Sequence, residues 1–291
     1  MHAATAHDPE GHREYSFVKG HGTRNDFVLL DDPDGALDLD VATVAALADR
    51  RGGIGADGVI RVVRTRAAGV DAPADAPEWF MDYRNADGSL AEMCGNGVRV
   101  FGAHLRAAGH IDVDEITIWT RAGIRSVRIL ERPSRPGDEW RVRVGMGAAR
   151  LEDSGRSLHV AGRTLPALDV DMGNPHTVAE LPDDLPLEQL DLTRRPGIEP
   201  GPPAGTNMEF VAVRGPRHVA MRVFERGVGE TESCGTGVAA TAVAAAHRAG
   251  DSSGHPWRVD VPGGTLHVGW EGSEVTLTGP ARLVATGTVH L

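Results

Sequence analysis

Lysine is almost missing from this chain: Lys19 stands alone, and the other 29 of its 30 basic residues are arginine. A pyridoxal-phosphate enzyme carries its cofactor on a lysine as a Schiff base. Lys19 lies early in a short segment that runs into a turn, so pyridoxal chemistry is disfavoured and no cofactor is expected. Cysteine is nearly as scarce, with two in 291 residues. With no CxxC pair and no matching histidine spacing they do not make a zinc site, and no metal is expected. No apolar run approaches the ~20 residues of a membrane span. The net charge is −11 with no block of lysine or arginine, which argues against nucleic acid or an anionic membrane as partner. The segment Met1 to Glu14 lacks the apolar core of a secretory signal. It reads as a disordered extension, residues 1–14, with His2, His7 and His12 solvated, and the protein reads as cytoplasmic with reduced thiols.

What remains is an ordinary globular composition, 41% hydrophobic and 24% charged, on a chain long enough for two domains. Its most informative stretch is Glu92-Met93-Cys94-Gly95-Asn96-Gly97-Val98, which returns as Glu232-Ser233-Cys234-Gly235-Thr236-Gly237-Val238. Both cysteines lie in these two copies, 140 positions apart. Each copy opens a helical pattern. Val98, Phe101, Gly102, Leu105 and Ala108 follow the first at helical spacing up to Gly109. Val238 to Ala246 is Ala, Val and Thr throughout and stops before Gly250, the pattern of a buried helix.

A thiol in the first turn of a helix feels the positive end of the macrodipole and the unpaired N–H groups there. Both favour thiolate, so each cysteine is expected to have a lowered pKa. The glycines let the backbone approach an anion. One such motif reads more readily as a small core cysteine in a turn. Two copies, each with a glutamate two residues ahead, reverse that reading.

The rest of the chain supports a duplicated unit. Strands are predicted over Tyr15 to Lys19, Asp26 to Leu30, Val59 to Val63 and Trp79 to Arg84, with a helix over Asp40 to Arg50. The glycine-rich loop Arg51 to Gly58 precedes a strand and lacks a Gly-Lys-Ser/Thr ending, so it is structural rather than a phosphate loop. Further strands fall near Glu115 to Trp119, Ile124 to Leu130, Trp140 to Val144 and Leu168 to Met172. The later part of the chain adds Asn207 to Val211, Val219 to Phe224, Trp257 to Val261, Thr265 to Gly269, Glu274 to Thr278 and Leu283 to Leu291. Asn85 and Glu225 each end a strand nine residues before their cysteine. The expected fold is α/β (α+β), two pseudo-symmetric domains with a small-molecule site in the cleft between them.

Two thiols at helix starts suit one reaction well. One, as thiolate, removes the α-proton of an amino acid, and the other, as thiol, returns a proton to the opposite face. Helix N-termini aimed at the substrate carboxylate stabilise the carbanion's charge.

The constellation resembles the diaminopimelate epimerases, pyridoxal-independent enzymes that interconvert LL- and meso-diaminopimelate in lysine and peptidoglycan synthesis. The resemblance runs from Tyr15 to Leu291. It rests on His21-Gly22 with Asn25-Asp26-Phe27, Arg84 to Ser89, Cys94 to Gly97, Gly173-Asn174-Pro175-His176, Glu225-Arg226-Gly227 with Gly229-Glu230-Thr231, Cys234 to Gly237, and Pro262-Gly263-Gly264. It implies domains 15–144 plus 279–291 and 145–278, each a β-barrel-like mixed sheet around a central helix, and a homodimer. It also implies Cys94 and Cys234 as the acid/base pair, with His176 and Glu225 beside the thiols. Gly95, Asn96, Gly235 and Thr236 would face the reacting carboxylate. Asn25, Asn85, Asn174, Asn207 and Glu225 would bind substrate, and Arg226 would clamp the distal carboxylate with its planar fork. The sequence departs from a common form of the family at Arg24, where a glycine often stands, and at Gly58, where some members have glutamine. Three other readings stay open: a proline or hydroxyproline racemase of the same fold, a redox switch built on a Cys94–Cys234 disulfide, and a non-catalytic amino-acid-binding protein.

Overall fold

The computed structural model describes residues 13–291. The expected N-terminal extension, with His2, His7 and His12, lies outside the described residues except at its end, where Glu14 already belongs to the first strand, Glu14–Gly22. The chain divides into two compact units, one running to Val144 and including Pro280–Leu291, the other Gly145–Gly279. The architecture is α+β. Three α-helices occur among the described residues: α1 (Val41–Ala48), α2 (Gly95–Ala107) and α3 (Gly235–Arg248). None is long and apolar enough to cross a membrane.

Strand pairing repeats from one unit to the other in the same order of senses. In the first unit, Glu14–Gly22 pairs antiparallel with Asn25–Asp31, which pairs parallel with Gly58–Arg64. Gly58–Arg64 pairs antiparallel with Trp79–Asn85, which pairs parallel with Glu115–Thr120. Two antiparallel steps, through Gly123–Glu131 to Trp140–Ala148, follow. The end of the long strand Glu274–His290 lies against Glu14–Gly22 and, on its other side, Trp140–Ala148, closing a barrel. In the second unit, Arg163–Asp171, Pro175–Glu180, Asn207–Gly215, His218–Glu225, Trp257–Val261, Gly264–Glu271 and the start of Glu274–His290 pair in the same alternation. In each unit the central helix is the connection between the fourth strand and the parallel fifth.

Both central helices are buried from their first residue for most of their length. Small residues make that possible. A Cβ on Gly102 would meet Val127 at 2.5 Å. Each helix ends where its sequence pattern stops, and Gly109 and Gly250 then take positive φ (76° and 62°). On the outer face of the first sheet, Val28 and Leu30 alternate with the inward Phe27 and Leu29 and pack under α1 with Val44 and Leu47. Asp40 caps α1 through Thr43 N–H at 2.7 Å, so the helix is shorter than the Asp40–Arg50 spacing suggested.

One expectation about strands needs correction, and several strands are added to those read from the sequence. The segments near Glu274–Thr278 and Leu283–Leu291 form one continuous strand, because Pro280 sits where its missing N–H is tolerated and its carbonyl accepts from Arg99 Nε at 3.1 Å. Pro175–Glu180 adds a strand not placed from the sequence, with His176 inside it. Short strands at Arg150–Glu152, Ser157–Val160, Gly197–Glu199 and Gly229–Thr231 carried too few residues to show a period.

One polar staple fixes the end of α2. Asp31 Oδ1, at the end of its strand, accepts from His104 Nε2 at 2.8 Å and His110 Nε2 at 3.0 Å. These three residues are the described group with metal-ligand chemistry, and the contacts are those of a shared hydrogen-bond acceptor. Burial works to raise the Asp31 carboxyl, but the hydrogen bonds from His104 and His110 outweigh it and hold the group well below the usual carboxylate range. A depressed folded pKa contributes stability that is complete above the unfolded value of ~3.9 and lost as pH falls below it. Asp31→Ala strands the buried His104 and should lower unfolding free energy by about 1–3 kcal/mol at pH 7 in a urea titration. The deficit should shrink as the titration is repeated at pH values progressively below ~3.9.

Candidate active site

In the first unit, the hairpin before Asn25 turns through Thr23 and Arg24, both left-handed with φ of 49° and 64°. This is the two-residue turn that matches strand twist, and each non-glycine residue adopts it at a cost of roughly 1–2 kcal/mol. Arg24 therefore takes the backbone conformation a glycine would, and Asn25 leaves the turn as the first residue of its strand. The Asn25 amide donates to Asp57 Oδ2 at 2.7 Å, and Arg50 holds Asp57 at 2.8 Å. That fixes Asn25 Oδ1 towards the start of α2, where it accepts from Asn96 Nδ2 at 3.2 Å and the Cys94 thiol at 3.4 Å. Cys94 is the N-cap of α2, half-buried, and Gly95 and Asn96 are its first buried residues. Asn85 closes its own turn, donating to Ser89 Oγ at 2.9 Å.

In the second unit, Cys234 is the buried N-cap of α3. A chain of polar contacts leads away from it. Cys234 Sγ lies 3.5 Å from Thr236 Oγ1, which accepts from Asn174 Nδ2 at 3.3 Å. Asn174 Oδ1 lies 3.1 Å from His176 Nε2, and His176 Nδ1 lies 2.6 Å from Glu209 Oε1. With the Asn174 amide nitrogen on Thr236, its oxygen faces His176 Nε2, and the other ring nitrogen meets the Glu209 carboxyl. Asn207 takes another role. Its Oδ1 accepts the Arg226 backbone N–H at 2.9 Å and its Nδ2 donates to Pro175 O at 3.1 Å, tying the turn that bears the exposed Arg226 to the strand beneath.

The electrostatics of this half-site run against the expectation for its thiol. Burial pushes the Cys234 thiol well up, and the Glu225 and Glu209 carboxyls push it further; the Thr236 hydroxyl and Gly237 N–H lower it by less. The helix start is present, but two acidic neighbours and desolvation outweigh it. Glu225 is itself raised by burial, against hydrogen bonds from Thr231 and Cys234.

The sequence profile of the diaminopimelate epimerase family matches residues 17–152 and 169–284. A diaminopimelate epimerase of Streptomyces coelicolor is 51% identical over 285 residues, 94% of either chain. The chain belongs to the diaminopimelate epimerase family. Similar relatives include the diaminopimelate epimerases of Thermobifida fusca, 47% identical with 94% of this chain and 98% of that one covered, and Mycolicibacterium smegmatis, 48% identical with 93% and 95% covered. Among solved structures, a Bacillus anthracis phenazine biosynthesis protein of the PhzF family superposes with TM-score 0.69 at 16% identity, covering 95% of this chain and 99% of that one. A hydroxyproline epimerase from Agrobacterium vitis does so with TM-score 0.65 at 16% identity, covering 96% and 91%. At those identities the likeness establishes the fold alone.

For a member of this epimerase family, several supporting residues were not singled out in the sequence. Glu209, fully buried, read only as part of a strand, yet it holds His176 and presses on Cys234; a Cβ on Gly237 would meet Glu209 Oε1 at 2.7 Å. Asp57 lay in a loop read as structural and orients Asn25. Thr231 donates to Glu225. At Gly58, a Cβ would meet both Arg84 O and the Tyr83 ring at 2.5 Å, so no side chain fits there as the strands are packed. The acidic neighbours give a direct test. In a Cys94→Ser background, Glu225→Gln should shift the pH profile of Cys234 alkylation by iodoacetamide to lower pH, because the carboxylate that disfavours thiolate is gone. An unchanged profile would remove Glu225 from the control of this thiol.

Proposed function

We propose that this protein interconverts LL- and meso-2,6-diaminopimelate by two-base proton transfer, with Cys94 and Cys234 as the acid/base pair. The observation that carries the reading is the repeat. Two units with the same order of strand pairing each begin a buried central helix at a cysteine, within a chain about half identical to enzymes of that name. One thiolate takes the α-proton and the other thiol delivers a proton to the opposite face, so configuration inverts. The N–H groups at Gly95, Asn96, Gly235 and Thr236 suit the α-carboxylate, where charge accumulates as the proton leaves. Asn25 meets the Cys94 thiol directly, and Asn174 reaches Cys234 through the Thr236 hydroxyl. Asn85 and Asn207 support the strand ends that carry the substrate loops, and Arg226 is the cation assigned to the distal carboxylate.

The reading includes catalysis without pyridoxal phosphate, in the cytoplasm, by a homodimer in the lysine and peptidoglycan route. Lys19 supports the first point: its ammonium is engaged by Asp26 at 2.6 Å and by the Gly55 carbonyl.

The experiment is α-proton exchange of LL-diaminopimelate in heavy water, followed by NMR with reductant and no pyridoxal phosphate. Deuterium entering one centre as the meso isomer appears is the expected result. Exchange with proline instead would move the assignment to a racemase, and exchange with neither would overturn the enzyme reading. Cys94→Ser and Cys234→Ser should each lower turnover by about 10²–10⁴-fold or more, the usual worth of a general acid or base, with circular dichroism unchanged.

A further inference from the structure

Because the two units repeat their strand pairing, each residue beneath one thiol motif has a counterpart beneath the other. In the first unit Phe27, two residues after Asn25, pairs with Gly58, the first residue of its strand. In the second, His176, two residues after Asn174, pairs with Asn207, again the first residue of its strand. Two positions further along those strands stand Ile60 and Glu209. Both pairs lie under the second glycine of the motif. A Cβ on Gly97 would meet Ile60 Cδ1 at 3.4 Å and Phe27 Cζ at 3.5 Å, and one on Gly237 would meet Glu209 Oε1 at 2.7 Å. An apolar pair in the first copy is an imidazole and a carboxyl in the second, and all four side chains are buried.

Packing does not explain the exchange. Phe27 and Ile60 fill the place under their helix with no polar group to satisfy, whereas a buried polar group is costly unless it is paired. An apolar pair of similar size often stabilises as well as a buried ionisable one, or better. The pairing here is also incomplete: His176 Nδ1 lies 2.6 Å from Glu209 Oε1, but Glu209 Oε2 is buried with no hydrogen-bond partner among the described residues. What the polar pair adds is direction. The other ring nitrogen of His176 lies 3.1 Å from Asn174 Oδ1, Asn174 Nδ2 donates to Thr236 Oγ1 at 3.3 Å, and that hydroxyl lies 3.5 Å from Cys234 Sγ. Glu209 stands at the far end of this row. The first unit meets the same need by a shorter route, since Asn25, the counterpart of Asn174, donates to Asp57 Oδ2 at 2.7 Å. Each unit thus supplies one carboxyl that orients the asparagine beside its motif, directly in the first and through His176 in the second.

We propose that Glu209 is a positioning residue: through its hydrogen bond to the His176 ring it holds the Asn174 amide on the Thr236 hydroxyl, so that the Cys234 half of the site is arranged before substrate binds. The proposal deepens the two-base reading and rests on it for its catalytic meaning. The hydrogen bond, rather than the volume of the side chain, is what the second copy keeps in place of an isoleucine.

The test compares Glu209→Ile, the residue of the other copy, with Glu209→Gln, which keeps a hydrogen-bonding partner for His176. Glu209→Ile should lower kcat/KM for LL-diaminopimelate by about tenfold to a hundredfold, the scale of a misplaced binding group, and Glu209→Gln should recover most of it. In an Asn174→Ala background Glu209→Ile should cost little more, because the group it positions is already gone. Equal losses in the isoleucine and glutamine variants overturn the proposal, as does an undiminished rate in Glu209→Ile or a full further loss on top of Asn174→Ala. If Glu209→Ile does not fold, His176→Phe with Glu209→Ile reproduces the apolar pair of the first unit: it should fold and lose turnover, again with little further loss in the Asn174→Ala background, and a full further loss overturns the proposal. A second readout needs no substrate. The Asn174 side-chain amide, assigned by NMR in protein labelled with 15N-asparagine from its loss in Asn174→Ala, should shift in Glu209→Ile and return close to its original position in Glu209→Gln. An unmoved resonance in Glu209→Ile overturns the proposal, whereas failure of the epimerase reading shows as absent α-proton exchange in the unmodified enzyme.

Discussion

A helix that begins inside a sheet must have its first-turn N–H groups satisfied by something other than water. Most helices meet that need with an Ser, Thr, Asp or Asn cap. Here the two central helices begin at cysteine, a poor cap, followed by glycine and a small polar residue buried at once. The arrangement leaves the helix start suited to an incoming anion and sets a thiol at its edge. The strand before each motif, the glycine turn that lets the chain enter the sheet, and the small residues that let the helix lie close to its neighbours all serve that placement. A Cβ on Gly102 would run into Val127, and one on Gly237 into Glu209.

That shared placement does not make the thiols equivalent, because the macrodipole is a modest effect, typically 0.3–1 kcal/mol at an exposed site, and buried neighbours exceed it. Around Cys234, desolvation and two carboxyls act in one direction. Cys94 instead donates to the amide oxygen of Asn25. Proton transfer to either face of a carbon asks for one base and one acid, and two symmetric thiolates would supply two bases. The two copies thus keep the motif and differ in what surrounds it, carboxyls at Cys234 and the Asn25 amide at Cys94.

The catalytic candidates were legible because they are expressed locally: a Cys-Gly-x-Gly at a helix start, repeated, with strand ends and turns at matching offsets. Residues that support them were not, because their roles depend on strands far apart in the chain. Glu209 sits two positions after Asn207 in a run that alternates like any buried strand, and its meaning appears only when the parallel pairing with Pro175–Glu180 brings His176 beside it. Arg99 follows Val98 on a helix whose apolar spacing reads correctly without it. The expectation of lowered thiol pKa values at both sites failed for Cys234 for the same reason, since it considered the helix and could not see the carboxyls. The strand break expected between Thr278 and Leu283 followed from Gly279-Pro280, and a proline at the right register of a long strand proved compatible with continuous pairing.

The continuity of that last strand has a further consequence. It starts in the second unit, paired with Gly264–Glu271, and ends in the first, where its register with Glu14–Gly22 slips at Lys19 and Gly20. Gly20 is held against Arg282 O and Val100, so the slip lies beside α2. Pro280, at the crossing from one unit to the other, gives its carbonyl to Arg99. The chain thus uses a single residue of its closing strand both to complete the first barrel and to hold the Arg99 guanidinium under the start of α2. A barrel closed by any other segment could have had the same strands; the acceptor at Pro280 ties the buried Arg99, and with it the start of α2, to the way the chain returns.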